Sequence, residues 1–174
     1  MALVVFLRGV NVGGHKTFKP AAFAKSFSTV EVENLGAAGT FVVRGNASET
    51  SVRAEFGRKL PFKTPLMICT AAEIARLVSS RPFGAQAPAK DEKRYVTIFE
   101  KPQRKPPRLP LDFPPTNDWC VRLLRVAGKF ALSVWRKRGK RLVYPNEVFE
   151  KTFGAPATTR GWPTILSVVE TLQE

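Results

Sequence analysis

Residues 6–17 read Phe-Leu-Arg-Gly-Val-Asn-Val-Gly-Gly-His-Lys-Thr. An apolar run feeds glycines and then a Lys-Thr pair, which are the ingredients of a phosphate-holding loop. A Walker-type loop needs Gly, four residues, Gly, and then Lys-Ser/Thr directly, so that the lysine reaches the outer phosphates as a helix begins. Gly9 to Gly14 has the required gap, but His15 separates Gly14 from Lys16 and Thr17 and moves the lysine off its place. Pro20 falls where the first helical turn would be, and no later strand ends in a convincing magnesium-binding Asp. This is not a P-loop triphosphatase. Smaller chemistry survives at the same place. Arg8, Gly9, Asn11, Gly13, Gly14, His15 and Lys16 supply exposed amides and positive charge to which an anion could bind. The competing reading is a tight strand-to-helix connection whose glycines only supply positive φ.

His15 is the single histidine of the chain. It is the obvious residue for acid–base work, but neither a carboxylate nor a nucleophile neighbours it, and there is no second histidine to build a zinc pair. No serine elbow or paired-carboxylate motif stands out, so no catalytic residue, metal or cofactor is expected. Cys69 and Cys120 form no redox or zinc spacing and read as free thiols of a cytoplasmic protein.

Charge is the second chemical signal. The chain carries a formal net charge of +14, and the excess concentrates between Lys93 and Arg141, where only Glu100, Asp112 and Asp118 oppose the cations. Arg104, Lys105 and Arg108 lie in a proline-rich stretch, and Arg136, Lys137, Arg138, Lys140 and Arg141 surround Gly139. Tyr95, Trp119, Trp135 and Tyr144 interleave with them. Such a block attracts nucleic acid or another polyanion, or is a solvated basic surface that keeps the protein soluble. The aromatic signature of RNA-recognition sheets is absent. Near the end of the chain, Arg160 is suited to an anion and Trp162 to stacking on a ring. Equally, Trp162 could staple the last helix to the core while Arg160 pairs with a helix end.

The elements that must position these residues follow from periodicity. Residues 2–8 are a short apolar run suited to a buried central strand, too short to span a membrane. No basic segment precedes it and no cleavage-like site follows, so no signal peptide is expected. Pro20 fits a first helical turn, with Phe23, Ala24 and Phe27 on one face. Residues 29–35 alternate as a strand with one wet face, and residues 40–45 form another strand after Gly36 and Gly39. Ser48 caps a helix running to Leu60, Pro61 stops it, and residues 64–70 are a buried strand. The resulting β-α-β-β-α-β order is the ferredoxin-like arrangement. Thr70 and Glu73 have capping-box spacing for a further helix to about Ser79. The aperiodic stretch 81–93 marks a boundary between subdomains 1–80 and 81–174. Beyond it come a strand at 94–100, an extended exposed loop at 101–115 where six of fifteen residues are Pro, a three-strand meander over 119–144 turning at Gly128 and Gly139, and two closing helices.

Two stretches carry a family resemblance. Leu7–Gly14 (Leu-Arg-Gly-Val-Asn-Val-Gly-Gly) resembles the N-terminal signature of the bacterial "domain of unknown function 1697" family. Residues 154–165, with Ala157-Thr158-Thr159-Arg160, one further residue and then Trp162, resemble its C-terminal signature. The resemblance implies an α+β protein of two ferredoxin-like (alpha-beta plait) subdomains with antiparallel sheets, and no established activity. Family members commonly carry Gln-Ser-Gly-Asn where this chain has Ala37-Ala38-Gly39-Thr40, and Asn-Trp-Asn where it has Gly161-Trp162-Pro163. Where that junction forms part of a polar site in the family, this chain has lost much of it. Two functions stay open. One is a module binding polyanions such as nucleic acid. The other is an enzyme or sensor for a small phosphorylated or carboxylated metabolite, which would place Asn11, Lys16 and Arg160 on one cleft.

Overall fold

A computed structural model describes residues 1–11, 18–140 and 142–174. The chain forms two compact units, Met1–Ser79 with Leu166–Glu174, and Ser80–Ile165.

The first unit follows from the apolar pattern at its start. β1 (Leu3–Leu7) is buried along its whole length, because it lies in the middle of a sheet covered on both faces. α1 (Pro20–Ala24) opens on Pro20, which fits a helix start because it has no N–H to leave unpaired. β2 (Glu31–Asn34) and β3 (Thr40–Arg44) form a hairpin. α2 (Glu49–Lys59) is capped by Ser48, whose hydroxyl accepts from the Ser51 amide at 3.1 Å. β4 (Leu66–Thr70) leads directly into α3 (Ala71–Ser79). The expected capping box is present: the Glu73 amide donates to Thr70 Oγ1 at 3.1 Å, and the Thr70 amide donates to Glu73 Oε2 at 2.8 Å. The sheet order β2-β3-β1-β4, antiparallel throughout, is the ferredoxin-like order. Phe23, Phe41 and Phe56 meet edge to face in its core, with Phe18, Phe27 and Phe62 packed around them.

The second unit uses the same strand order with different connections. Its sheet runs β6 (Leu111–Phe113), β7 (Val121–Ala127), β8 (Phe130–Arg136), β5 (Glu92–Phe99), β9 (Ala157–Gly161), again antiparallel. Without β6, this is the plait order once more. The first crossover helix is replaced by the proline-rich segment, and α4 (Pro145–Phe153) takes the place of the second. α5 (Trp162–Gln173) follows β9 without a loop.

Three expectations are corrected here. The proline-rich stretch is not wholly an exposed loop, since Leu111–Phe113 pairs with Val121–Leu123 as an edge strand. Edge positions tolerate flanking prolines because their outer N–H groups need no partner. Among the described residues the meander has two strands, not three. β8 is already flanked by β7 and β5, so residues 142–144 find no free edge and approach α4 as irregular chain. Finally, Ala157–Gly161 is a strand that local pattern did not announce, held by pairing with Tyr95–Phe99.

Candidate functional site

The described part of the glycine loop is tied down by its own side chains. Asn11 sits at φ 54, a left-handed conformation that Asn tolerates better than most residues. Its Nδ2 donates to the Ala37 carbonyl at 2.8 Å, and its Oδ1 accepts from the Phe18 amide at 3.2 Å. Both halves of the amide are thus occupied in closing the loop and fastening it to the β2–β3 turn. The Arg8 carbonyl accepts from Thr64 Oγ1 at 2.7 Å, and Gly9 is exposed at φ 65. Gly13, Gly14, His15 and Lys16 lie outside the described residues, as does Arg141. Gly39 is explained by packing: a Cβ there would come within 2.8 Å of Val10 Cγ2 and 2.9 Å of Leu7 Cβ.

The C-terminal motif divides between core and cavity. Arg160 is only 6% exposed, on the face of β9 opposite Thr159, and its Nη1 donates to Thr158 Oγ1 at 2.7 Å and to the Thr159 carbonyl at 2.9 Å. Burial pulls its pKa down to about 10, because a charged group loses hydration inside the protein. Arg160 is therefore a packed, internally bonded residue rather than a surface anion hook. On the other face, Thr97, Thr159 and Asn146 form a hydroxyl–amide chain, with Thr97 Oγ1 2.8 Å from Thr159 Oγ1 and Thr159 Oγ1 donating to Asn146 Oδ1 at 3.0 Å.

Trp162 instead lines a cavity of about 490 Å³, together with Glu92, Lys93, Arg94, Tyr95 and the start of α5. Adjacent strands place these residues together, since Tyr95 is paired with Gly161, the residue before Trp162. Arg94 is already engaged: its guanidinium lies 5.4 Å over the Phe83 ring and donates to the Gln86 carbonyl. Trp162 meets the same Phe83 edge to face, at 5.1 Å between centroids. Three other lining residues, Lys93, Tyr95 and Trp162, carry donors that have no hydrogen-bond acceptor among the described residues. Burial, and then the neighbouring Tyr144, raise the Tyr95 pKa above the ordinary phenol value, so Tyr95 is protonated and available as a donor at neutral pH. The first turn of α5 carries no acidic residue of its own, and the positive end of its dipole lies beside the cavity. Trp162 could be picked out from its motif. Lys93 and Tyr95 were legible only as members of a basic block and an aromatic series; their i, i+2 spacing on a strand is the signal that they share a face.

The basic segment is not one uniform surface. Arg136 turns inward. Its Nε donates to the Trp119 carbonyl at 2.8 Å, its Nη2 to the Asn117 carbonyl, and its guanidinium sits 3.7 Å from the Trp119 ring centroid. Arg122 covers Trp119 at 4.4 Å and forms a two-pronged pair with Asp112, at 2.6 and 2.9 Å. Trp119, expected as an interleaving aromatic, is buried. Arg138 reaches Asp91 at 3.5 Å. Arg104, Lys105, Arg108, Lys137 and Lys140 are exposed. Among the described residues no group of three His, Cys, Asp or Glu side chains is placed to hold a metal ion, and no helix is long and apolar enough to cross a membrane. Asn11 belongs to the first unit and Arg160 to the second; the expected single cleft also needs Lys16, outside the described residues.

Fold and site together define an α+β protein with two plait-ordered antiparallel sheets and a donor-lined cavity in the second unit. The chain belongs to the family described as "Protein of unknown function (DUF1697)", whose model matches residues 1–116. Among solved structures it is similar to the conserved bacterial protein SP0830 from Streptococcus pneumoniae, with a TM-score of 0.61, 14% identity, and 98% of each chain covered. At that identity the likeness concerns the fold. No curated protein matches the chain.

Proposed function

We propose that the second unit binds a small planar anion, an aromatic ring bearing a phosphate or carboxylate, in the cavity between β5 and the start of α5. One observation carries this reading: Lys93, Tyr95 and Trp162, each bearing a donor without a protein acceptor among the described residues, line one cavity of about 490 Å³. Donors brought together without acceptors suit an acceptor-rich ligand, and the volume lies in the ordinary range for small-molecule sites. The aromatic lining suits a flat ring. Lys93 supplies charge and Trp162 a stacking face. Glu92, the one carboxylate among the described lining residues, is offset by Lys93 and Arg94 and suits an amino or hydroxyl group on the same ligand. Among the described residues the cavity holds no nucleophile–base pair, so the reading is of a binding site.

The test is titration of the full chain with nucleoside monophosphates and aromatic carboxylates, followed by tryptophan fluorescence and calorimetry. At least one class is expected to bind saturably. Lys93→Ala should weaken it about tenfold or more, the usual worth of a hydrogen bond to a charged group. Trp162→Phe keeps the ring, removes the N–H and should weaken binding less. Absence of saturable binding, or full affinity in Lys93→Ala, would overturn the reading.

A further inference from the structure

We infer that the ligand of this cavity is one nucleotide of a single-stranded nucleic acid, whose next nucleotides lie along the end of the second sheet on Trp135 and Tyr144. The inference rests on the cavity reading above and extends it. Lys93 belongs to both places: it lines the cavity, and its Nζ stands 5.8 Å from the centroid of Trp135, the residue opposite it on β8. Trp135 is held by its Nε1, which donates to the Val143 carbonyl at 2.8 Å, and it lies parallel to Tyr144, with 3° between ring planes and centroids 6.4 Å apart. Tyr144 is 50% exposed and Leu142 60% exposed, so this corner offers an accessible ring and an apolar neighbour. Lys137 and Lys140 flank it, exposed and without carboxylate partners among the described residues.

From Gly161 on β9 to Trp135 on β8 is two strand spacings, about 10 Å, which is more than one base covers. A mononucleotide filling the cavity would leave the Trp135–Tyr144 corner and its lysines unused. A short single strand uses both, with rings under its bases and ammonium groups near its phosphates, the pattern by which single strands are held without base readout. The path follows the end of the sheet because its middle is closed: Val96–Phe99 and Phe130–Ser133 are buried on both faces, so the open stacking surface used by RNA-recognition sheets does not exist here.

Fluorescence anisotropy on the full chain, with fluorescein-labelled thymidine and uridine hexamers and unlabelled thymidine or uridine monophosphate as competitor, tests this. A hexamer should bind at least about tenfold more tightly than the monophosphate. Tyr144→Ala should remove that advantage and leave monophosphate affinity unchanged, while Tyr144→Phe, which keeps the ring, should retain it. Replacing Lys137 and Lys140 together by Gln should lower the salt dependence of hexamer binding by about two phosphate contacts. A hexamer no tighter than the monophosphate overturns the inference and leaves the cavity reading standing. Equal affinity for heparin, or an unchanged Tyr144→Ala, also overturns it. If neither monophosphate nor hexamer binds, the inference falls; the cavity reading falls with it only when the aromatic carboxylates also fail to bind.

Discussion

Gly39→Ala separates two roles that the β2–β3 turn could have. Gly39 adopts φ +74, and a Cβ on it would lie 2.8 Å from Val10 Cγ2, 2.9 Å from Leu7 Cβ and 3.0 Å from Leu7 Cγ. Leu7 and Val10 are buried where β1 enters the glycine loop, and the Leu7 amide donates to the Gly39 carbonyl at 2.8 Å. Forcing a left-handed conformation on alanine costs about 1 kcal/mol, and overfilling a packed site adds about 1–3 kcal/mol. Gly36 provides the control, because its φ is +83 while nothing lies within 4 Å of its Cβ position. Gly36→Ala should therefore lose only about 1 kcal/mol, the backbone share, and Gly39→Ala about 2–4 kcal/mol. In a chain of this size each kcal/mol is worth about 2–4 °C in Tm, so urea and thermal melts resolve the difference. Equal losses in the two variants would refute the close-approach explanation and return Gly39 to the status of an ordinary turn glycine.

Two predictions concern pH. Asp112 is held below its usual carboxylate range by its hydrogen bonds to Arg122. A depressed carboxyl contributes stability that is present above about pH 4 and lost as pH falls through the lower folded value. Asp112→Asn should flatten urea stability between neutral pH and about pH 3, by about 1 kcal/mol for so accessible a pair; an unchanged acid limb would sink the idea. Tyr95 is raised, first by burial and then by Tyr144, so its effect has the opposite sign: stability is undiminished below about pH 10 and falls as the unfolded phenol ionises first. Tyrosinate absorbance should show a late step that Tyr95→Phe abolishes and that Tyr144→Phe moves to lower pH; a late step surviving in Tyr95→Phe would contradict this.

Much of the first unit was legible because its signals are local. Ser48, the Thr70–Glu73 box, Pro20 and the run Leu3–Leu7 each act within a few residues of themselves, through caps, a fixed φ and apolar burial. The second unit was less legible because its elements depend on remote pairing. Ala157–Gly161 is a strand through its pairing with β5, and residues 142–144 lack strand structure because β8 has no edge left. The site divides in the same way. Trp162 is visible in its motif. The burial of Arg160, the enclosure of Trp119 between Arg122 and Arg136, and the placing of Lys93 beside both Trp135 and the cavity depend on side chains far apart in the chain.

By itself, the amino-acid sequence determined the α+β class, the plait order of the first unit, the departure of the Gly9–Thr17 loop from Walker spacing, and a concentration of basic residues between Lys93 and Arg141. Only the tertiary structure decided which cations are free. Arg136 and Arg160 are as basic in sequence as Lys137 and Lys93, but hydrogen bonds to carbonyls and a ring consume the first two. Whether a charged side chain meets solvent depends on what the rest of the fold packs against it, and neighbouring residues along the chain do not specify that.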